Sequence, residues 1–277
     1  MESPSTIISP GQLFGAWPWE PSVLAALGVF VWLNVRGARK RAVPRARSAA
    51  FSISVLIVGI ALLSPLHALA GTLFSAHMTQ HMLLVVGVAP LVSYARPGAC
   101  LLRGMPAAAR PFVRQSGAMI RPARRVLANP LVAGALHAVV LWLWHLPGPY
   151  EAAVENQVVH AIEHASLFGS ALVLWTAVVH HSRSRRRGPA LALLLLFGTA
   201  LQSGALGAIL TFAETALYPV HAGGPRMWGI SPLADQQLAG AIMWIPAGAV
   251  YFATMAAVFF SWMKRMDAAG SLERIRA

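Results

Sequence analysis

Arg36-Gly-Ala-Arg39-Lys40-Arg41-Ala-Val-Pro-Arg45-Ala-Arg47, followed after three small residues by Phe51-Ser-Ile-Ser-Val-Leu-Ile-Val-Gly-Ile-Ala-Leu-Leu-Ser-Pro-Leu-His67-Ala-Leu69, sets six cations ahead of 19 residues without formal charge. A helix of about 20 largely apolar residues crosses the hydrocarbon core of a bilayer. Lys and Arg beside such a stretch mark its cytoplasmic end. The same unit recurs along the chain, with apolar stretches at Pro21–Val35, Phe51–Leu69, Phe74–Tyr94, Leu131–Leu146, Val158–His180, Pro189–Phe212 and Leu238–Met263. The sequence predicts an all-α, polytopic integral membrane bundle of seven transmembrane helices. The first and fourth are short and borrow interfacial residues such as Trp17, Trp19 and Tyr150.

The loops set the orientation. Of the 22 Lys and Arg residues, all but Arg226 fall between spans one and two, three and four, five and six, or after span seven. That side is expected to be cytoplasmic, which puts the N-terminus outside and the C-terminus in the cytoplasm. The chain divides into an outer N-terminal segment (1–18), a membrane domain (19–263) and a cytoplasmic tail (264–277). Glu2, Glu20, Glu151, Glu155, Glu163, Glu214 and Asp235 lie toward the outer side, a distribution that suits a surface receiving cations or simply soluble loops.

Composition agrees with a lipid solvent. Hydrophobic residues make up 57% of the chain and charged residues 11%, against about 25% charged in soluble domains. The net charge of +13 sits in short clusters between apolar stretches, as topology determinants and contacts to anionic lipid do, so nucleic acid is not an expected partner. Cys100 is the single cysteine, which excludes an internal disulfide framework and a CxxC motif. No basic segment followed by an apolar core opens the chain, so no cleavable signal peptide is expected. The Arg-rich loop Arg96–Asn129 has the makings of an amphipathic helix on the inner leaflet.

Histidines carry the chemical signal. Span three contains Phe74-Ser-Ala-His77-Met78-Thr-Gln80-His81-Met82, and span five contains His160-Ala-Ile-Glu163-His164. Each pair is spaced i, i+4 on one helical face, and both lie in the outer halves of their spans. Ionisable groups inside a span are costly and mark function by default. Two such pairs at matched depth supply up to four imidazole ligands, a set that suits copper, zinc, iron or nickel. Met78 and Met82 would bias the site to Cu(I) if their thioethers reach the metal, or else fill core gaps. Glu163 is expected as a partner of the ligands more than as a ligand, and His67 and His145 as auxiliaries. The bland alternative is that the rings bond neighbouring backbone and hydroxyl groups. One histidine from each span would also suit a b-type haem. HxxEH matches a reversed zincin pattern, but it lies in a span and carries little weight.

Other polar residues are less specific. Asp235 is placed to cap span seven, Gln236 and Gln237 to bond across helices or to a ligand, and Pro246 to kink span seven near Met243. Gly198, Gly204 and Gly207 predict close helix packing. His137 and Gln202 are the only hints of a polar path toward the cytoplasmic side.

His77-Met-Thr-Gln-His81-Met-Leu-Leu ending in Ala89-Pro90-Leu91, Leu143-Trp144-His145-Leu-Pro147-Gly148-Pro-Tyr150, His160-Ala-Ile-Glu163-His164-Ala-Ser and Asp235-Gln-Gln-Leu-Ala-Gly240-Ala-Ile-Met243-Trp244 resemble the seven-helix CtaG-type cytochrome c oxidase assembly factors. The resemblance covers about residues 15–265 with the blocks in the family's order. It does not extend to the single-span cupredoxin-like copper donor that shares the CtaG name. It implies a non-enzymatic bacterial inner-membrane protein that handles copper for a haem-copper oxidase. Cytochrome c oxidase subunits and the lipid bilayer are the implied partners, and a homo-oligomer is compatible. On this reading His77, His81, His160 and His164 ligate copper as Cu(I), with His67, Met78, Met82, His145, Glu163, Asp235 and Met243 as auxiliaries. Haem b, or copper or proton transport, is the alternative.

Overall fold

The computed structural model describes residues 7–184 and 188–276, with side chains through residue 268. Glu2 and Arg185, Arg186 and Arg187, and the side chains of Glu273, Arg274 and Arg276, lie outside the described residues. All regular structure among the described residues is helical. Six helices are long and apolar enough to cross a membrane: Pro21–Lys40, Arg45–Leu63, Phe74–Ala95, Gln157–Ser182, Gly188–Thr211 and Pro232–Ala268. Pro130–Trp144 makes a seventh when joined to Arg121–Leu127, from which it bends by 86°. At 1.5 Å per residue it reaches only about 22 Å, in keeping with the short fourth stretch of the sequence.

Spans six and seven cross closely. A Cβ on Gly240 would stand 2.6 Å from the Gly207 carbonyl oxygen, and one on Gly207 2.8 Å from Trp244 Cβ. Of the three span-six glycines expected to mediate packing, Gly207 does so. Gly198 and Gly204 meet no atom within 4 Å. Span seven continues unbroken through Pro246 as part of the helix Pro232–Arg276. The loop after span three folds into Gly98–Gly104, Ala109–Met119 and Arg121–Leu127. The first of these presses so near span one that a Cβ on Gly37 would overlap the Cys100 carbonyl.

Span three holds the main irregularity. Phe74–Met82 is α-helical, Leu83–Val88 opens into a π-helical turn, and Ala89–Ala95 closes again. The Ala89 amide donates to the Leu84 carbonyl, five residues back. In that wider register the Val85 carbonyl would look to Pro90, which has no N–H to give. The Trp175 indole of span five donates to it instead, at 3.0 Å. The largest apolar cluster surrounds this point, with Met78, Trp175, Leu196, Met243 and Tyr251 all buried in it.

Candidate metal centre

Two caps aim the histidine-bearing helices. Asn156 accepts from the Val158 and Val159 amides at 2.9 and 3.2 Å, starting span five one turn before His160. Span three is started from a distance. Asp235, at the head of span seven, accepts from the Phe74 amide at 2.7 Å, the Ser75 amide at 3.2 Å and the Ser75 hydroxyl. It therefore caps the helix that carries His77 and His81. The expectation that Asp235 caps its own span is corrected: its carboxylate is wholly buried against another helix start, where a negative charge also suits the helix dipole.

The two helices then face each other. One ligand atom from each of His77, His81, Glu163 and His164 lies within 4.8 Å of the other three. Glu163 Oε2 is 3.4 Å from His77 Nε2 and 3.7 Å from His81 Nε2. Donors at about 2.0–2.1 Å around a tetrahedral ion stand roughly 3.4 Å apart, so these separations fit one ion. Nε2 of His77, His81, His160 and His164 and both Glu163 oxygens are buried without a hydrogen-bond partner. Buried polar atoms are nearly always paired, and a convergent set of unpaired donors is what a metal would satisfy.

The remaining candidates fall into three groups. His160 stands beside the four, with ring centroids 4.2 Å from His164 and 5.3 Å from His77, and stacks on His67 at 5.9 Å. His145 donates from Nδ1 to the Leu141 carbonyl at 2.7 Å, which leaves its buried Nε2 as a bare lone pair. His67 accepts through Nδ1 from the Gln80 amide at 2.9 Å, and that amide also donates to the Ala61 carbonyl at 2.7 Å. Its Nε2 therefore carries the ring hydrogen when the ring is neutral. Met78 and Met243 are in the apolar cluster, and Met82 packs against it. Gln236 and Gln237 hold the preceding loop, bonding Leu217, Thr215 and Ala213.

A lid covers the site. Tyr150, from the helix Pro147–Glu155, is fully buried with its ring 5.2 Å from His77. It is no interfacial residue of span four, because that helix folds back over the bundle. Its hydroxyl lies 2.7 Å from His221 Nε2, and Tyr218 donates to the His145 carbonyl at 2.8 Å. Burial pushes His221 down to about 4, so its ring is neutral and accepts from Tyr150. His221 escapes a reading by spacing, since it lies alone in a loop; its sole signal is being a tenth histidine beside Tyr218-Pro219. Beneath the lid, His77 and His81 are at most 2% exposed, whereas His67, His160 and His164 are only half-buried.

No curated protein and no solved structure matches this chain. The family model described as cytochrome c oxidase caa3 assembly factor matches residues 28–265, most of its length. The four histidine-bearing and lid segments all fall inside that match. The chain is a multi-pass membrane protein that belongs to the cytochrome c oxidase caa3 assembly factor family.

Proposed function

We propose that this assembly factor binds copper with His77, His81, His164 and Glu163 and hands it to a subunit of a haem-copper cytochrome c oxidase in the same bilayer. The observation that carries the reading is the convergence of four buried ligand groups within 4.8 Å, with imidazole nitrogens and carboxylate oxygens that have no hydrogen-bond partner in the protein. Three imidazoles suit copper, and a carboxylate paired with a monovalent cation leaves no net charge in the hydrocarbon region, where a residual charge is costly. That favours Cu(I). It also promotes Glu163 from a partner of the ligands to a ligand, in the place expected for His160. The i, i+3 spacing of Glu163 from His160 is the sequence signal for it.

His160 then takes a different role. Half-buried and stacked on His67, it is the outlying donor by which the ion passes between the exposed flank and the closed site. A protein that delivers metal needs such an exchange position, because four simultaneous ligands under a lid release slowly. The protein acts without catalysis, in the bacterial inner membrane, with the histidine end of the bundle facing outward.

The test is metal content beside the visible spectrum of purified protein. About one copper per chain and no Soret band is the expected result. A Soret band without copper would replace this reading with haem binding, which the crowding of donors within 4.8 Å does not favour. Transport across the bilayer has little support, since His137 is bonded to Ser170 at 3.1 Å and Gln202 to Trp142 at 2.9 Å.

A further inference from the structure

At the opposite end of the bundle, a cavity of about 900 Å³ opens between spans one, two, three and five. This is at the upper end of the roughly 300–1,000 Å³ typical of small-molecule sites. Its body is apolar, walled by side chains such as Val58, Val92 and Phe168, and its mouth carries Arg96, Arg124 and His180. No acidic residue lines it among the described residues. Arg47 and Arg183 stand close enough to Arg96 to repel it electrostatically, so cations are gathered here without a lining anion. Arg96 is also the one non-glycine residue with positive φ among those described, at 52°. A glycine would hold that left-handed turn at lower cost. An arginine placed there presents a guanidinium at the cavity mouth.

We propose that this cavity binds one anionic phospholipid, its phosphate between Arg96 and Arg124 and an acyl chain along the apolar wall. Arginine forks match phosphate oxygens, and basic pockets between spans at the arginine-rich end of a membrane protein lie at headgroup depth. A free small anion would satisfy the mouth but leave the apolar body unused.

The experiment is native mass spectrometry of the full-length protein released from nanodiscs of nine parts phosphatidylcholine to one part phosphatidylglycerol. Wild type should retain one phosphatidylglycerol per chain in preference to phosphatidylcholine. Arg96→Gln with Arg124→Gln should lower that retention by about tenfold or more, while Arg114→Gln with Arg121→Gln, which removes two charges from the same loop but outside the cavity, should leave it unchanged. Val92→Trp fills the apolar body with both arginines intact and should also abolish retention, so the test does not depend on one variant folding. Equal retention of the two lipids by wild type, undiminished retention by the arginine variant, or displacement of the lipid by millimolar inorganic phosphate would overturn the proposal.

Discussion

Asp235 and Phe74 are 161 positions apart, yet the carboxylate of one accepts the amide hydrogen of the other at 2.7 Å. The start of the helix that carries His77 and His81 is thus fixed by the head of the last span. Removing a helix cap costs about 0.5–2 kcal/mol, and losing an outer partner of a metal site lowers affinity about 10–100-fold. Asp235→Ala should therefore weaken copper retention against a chelator by about tenfold without deleting a ligand. Asp235→Asn, which keeps one of the two acceptor oxygens, should fall between the alanine variant and wild type. Unchanged affinity in the alanine variant would separate the cap from the site.

Ligand identity is tested by stoichiometry. His77→Ala with His164→Ala should reduce copper from about one per chain to background. Glu163→Gln, which keeps the shape and loses the charge, should weaken binding strongly. His180→Ala, at the far end of span five, should leave binding intact. Full copper in the His77/His164 variant would remove the assignment.

The role given to His160 is kinetic. His160→Ala should keep the final copper content near wild type while slowing both loading and loss to a chelator. A variant with reduced capacity and unchanged rates would instead make His160 a ligand.

Stability of the lid should depend on pH. His221 is held down to about 4 by burial, against about 6.5 in an unfolded chain. Between those values the unfolded state binds a proton that the folded state refuses, so stability is complete above about pH 6.5 and falls as pH drops toward 4. Metal-free protein should lose thermal midpoint over this window. His221→Gln should make the loss shallower by the share of one proton, and an unchanged slope in that variant would assign the dependence elsewhere.

In cells, an otherwise wild-type strain producing the His77→Ala, His81→Ala protein at normal level should match a deletion strain in oxidase activity and oxidase copper content. Normal activity would make the histidines structural. Orientation can be read in the same membranes by thiol labelling. Native Cys100 is buried under span one and is a poor reporter. Cysteines at exposed Ala222 and Ala107, in a Cys100→Ser background, should react with an impermeant reagent before and only after lysis, respectively.

The spans were legible because hydropathy is a local property, and the i, i+4 histidine pairs because a helix repeats every 3.6 residues. Tyr150 and His221 were not legible as parts of the site, and Asp235 entered it only as an auxiliary implied by the family resemblance, with a cap on its own span as the role its position suggested. Each arrives from a loop or helix end folded over distant residues, and no period links them to His77. Glu163 lay between: its spacing from His160 was visible, but choosing which of the two faces His81 required the rotation of span five relative to span three.

Span three carries a rotation of its own, at the wide turn Leu83–Val88. Relative to an uninterrupted α-helix, one extra residue in a turn shifts everything beyond it by about 100° around the axis and 1.5 Å along it. His81 and Arg96 occupy opposite sides of the turn, so the azimuth between the histidine cluster and the arginine-mouthed cavity is encoded by a single inserted position. Excising one residue there would leave each end of the helix chemically whole while turning one of them away from its neighbours.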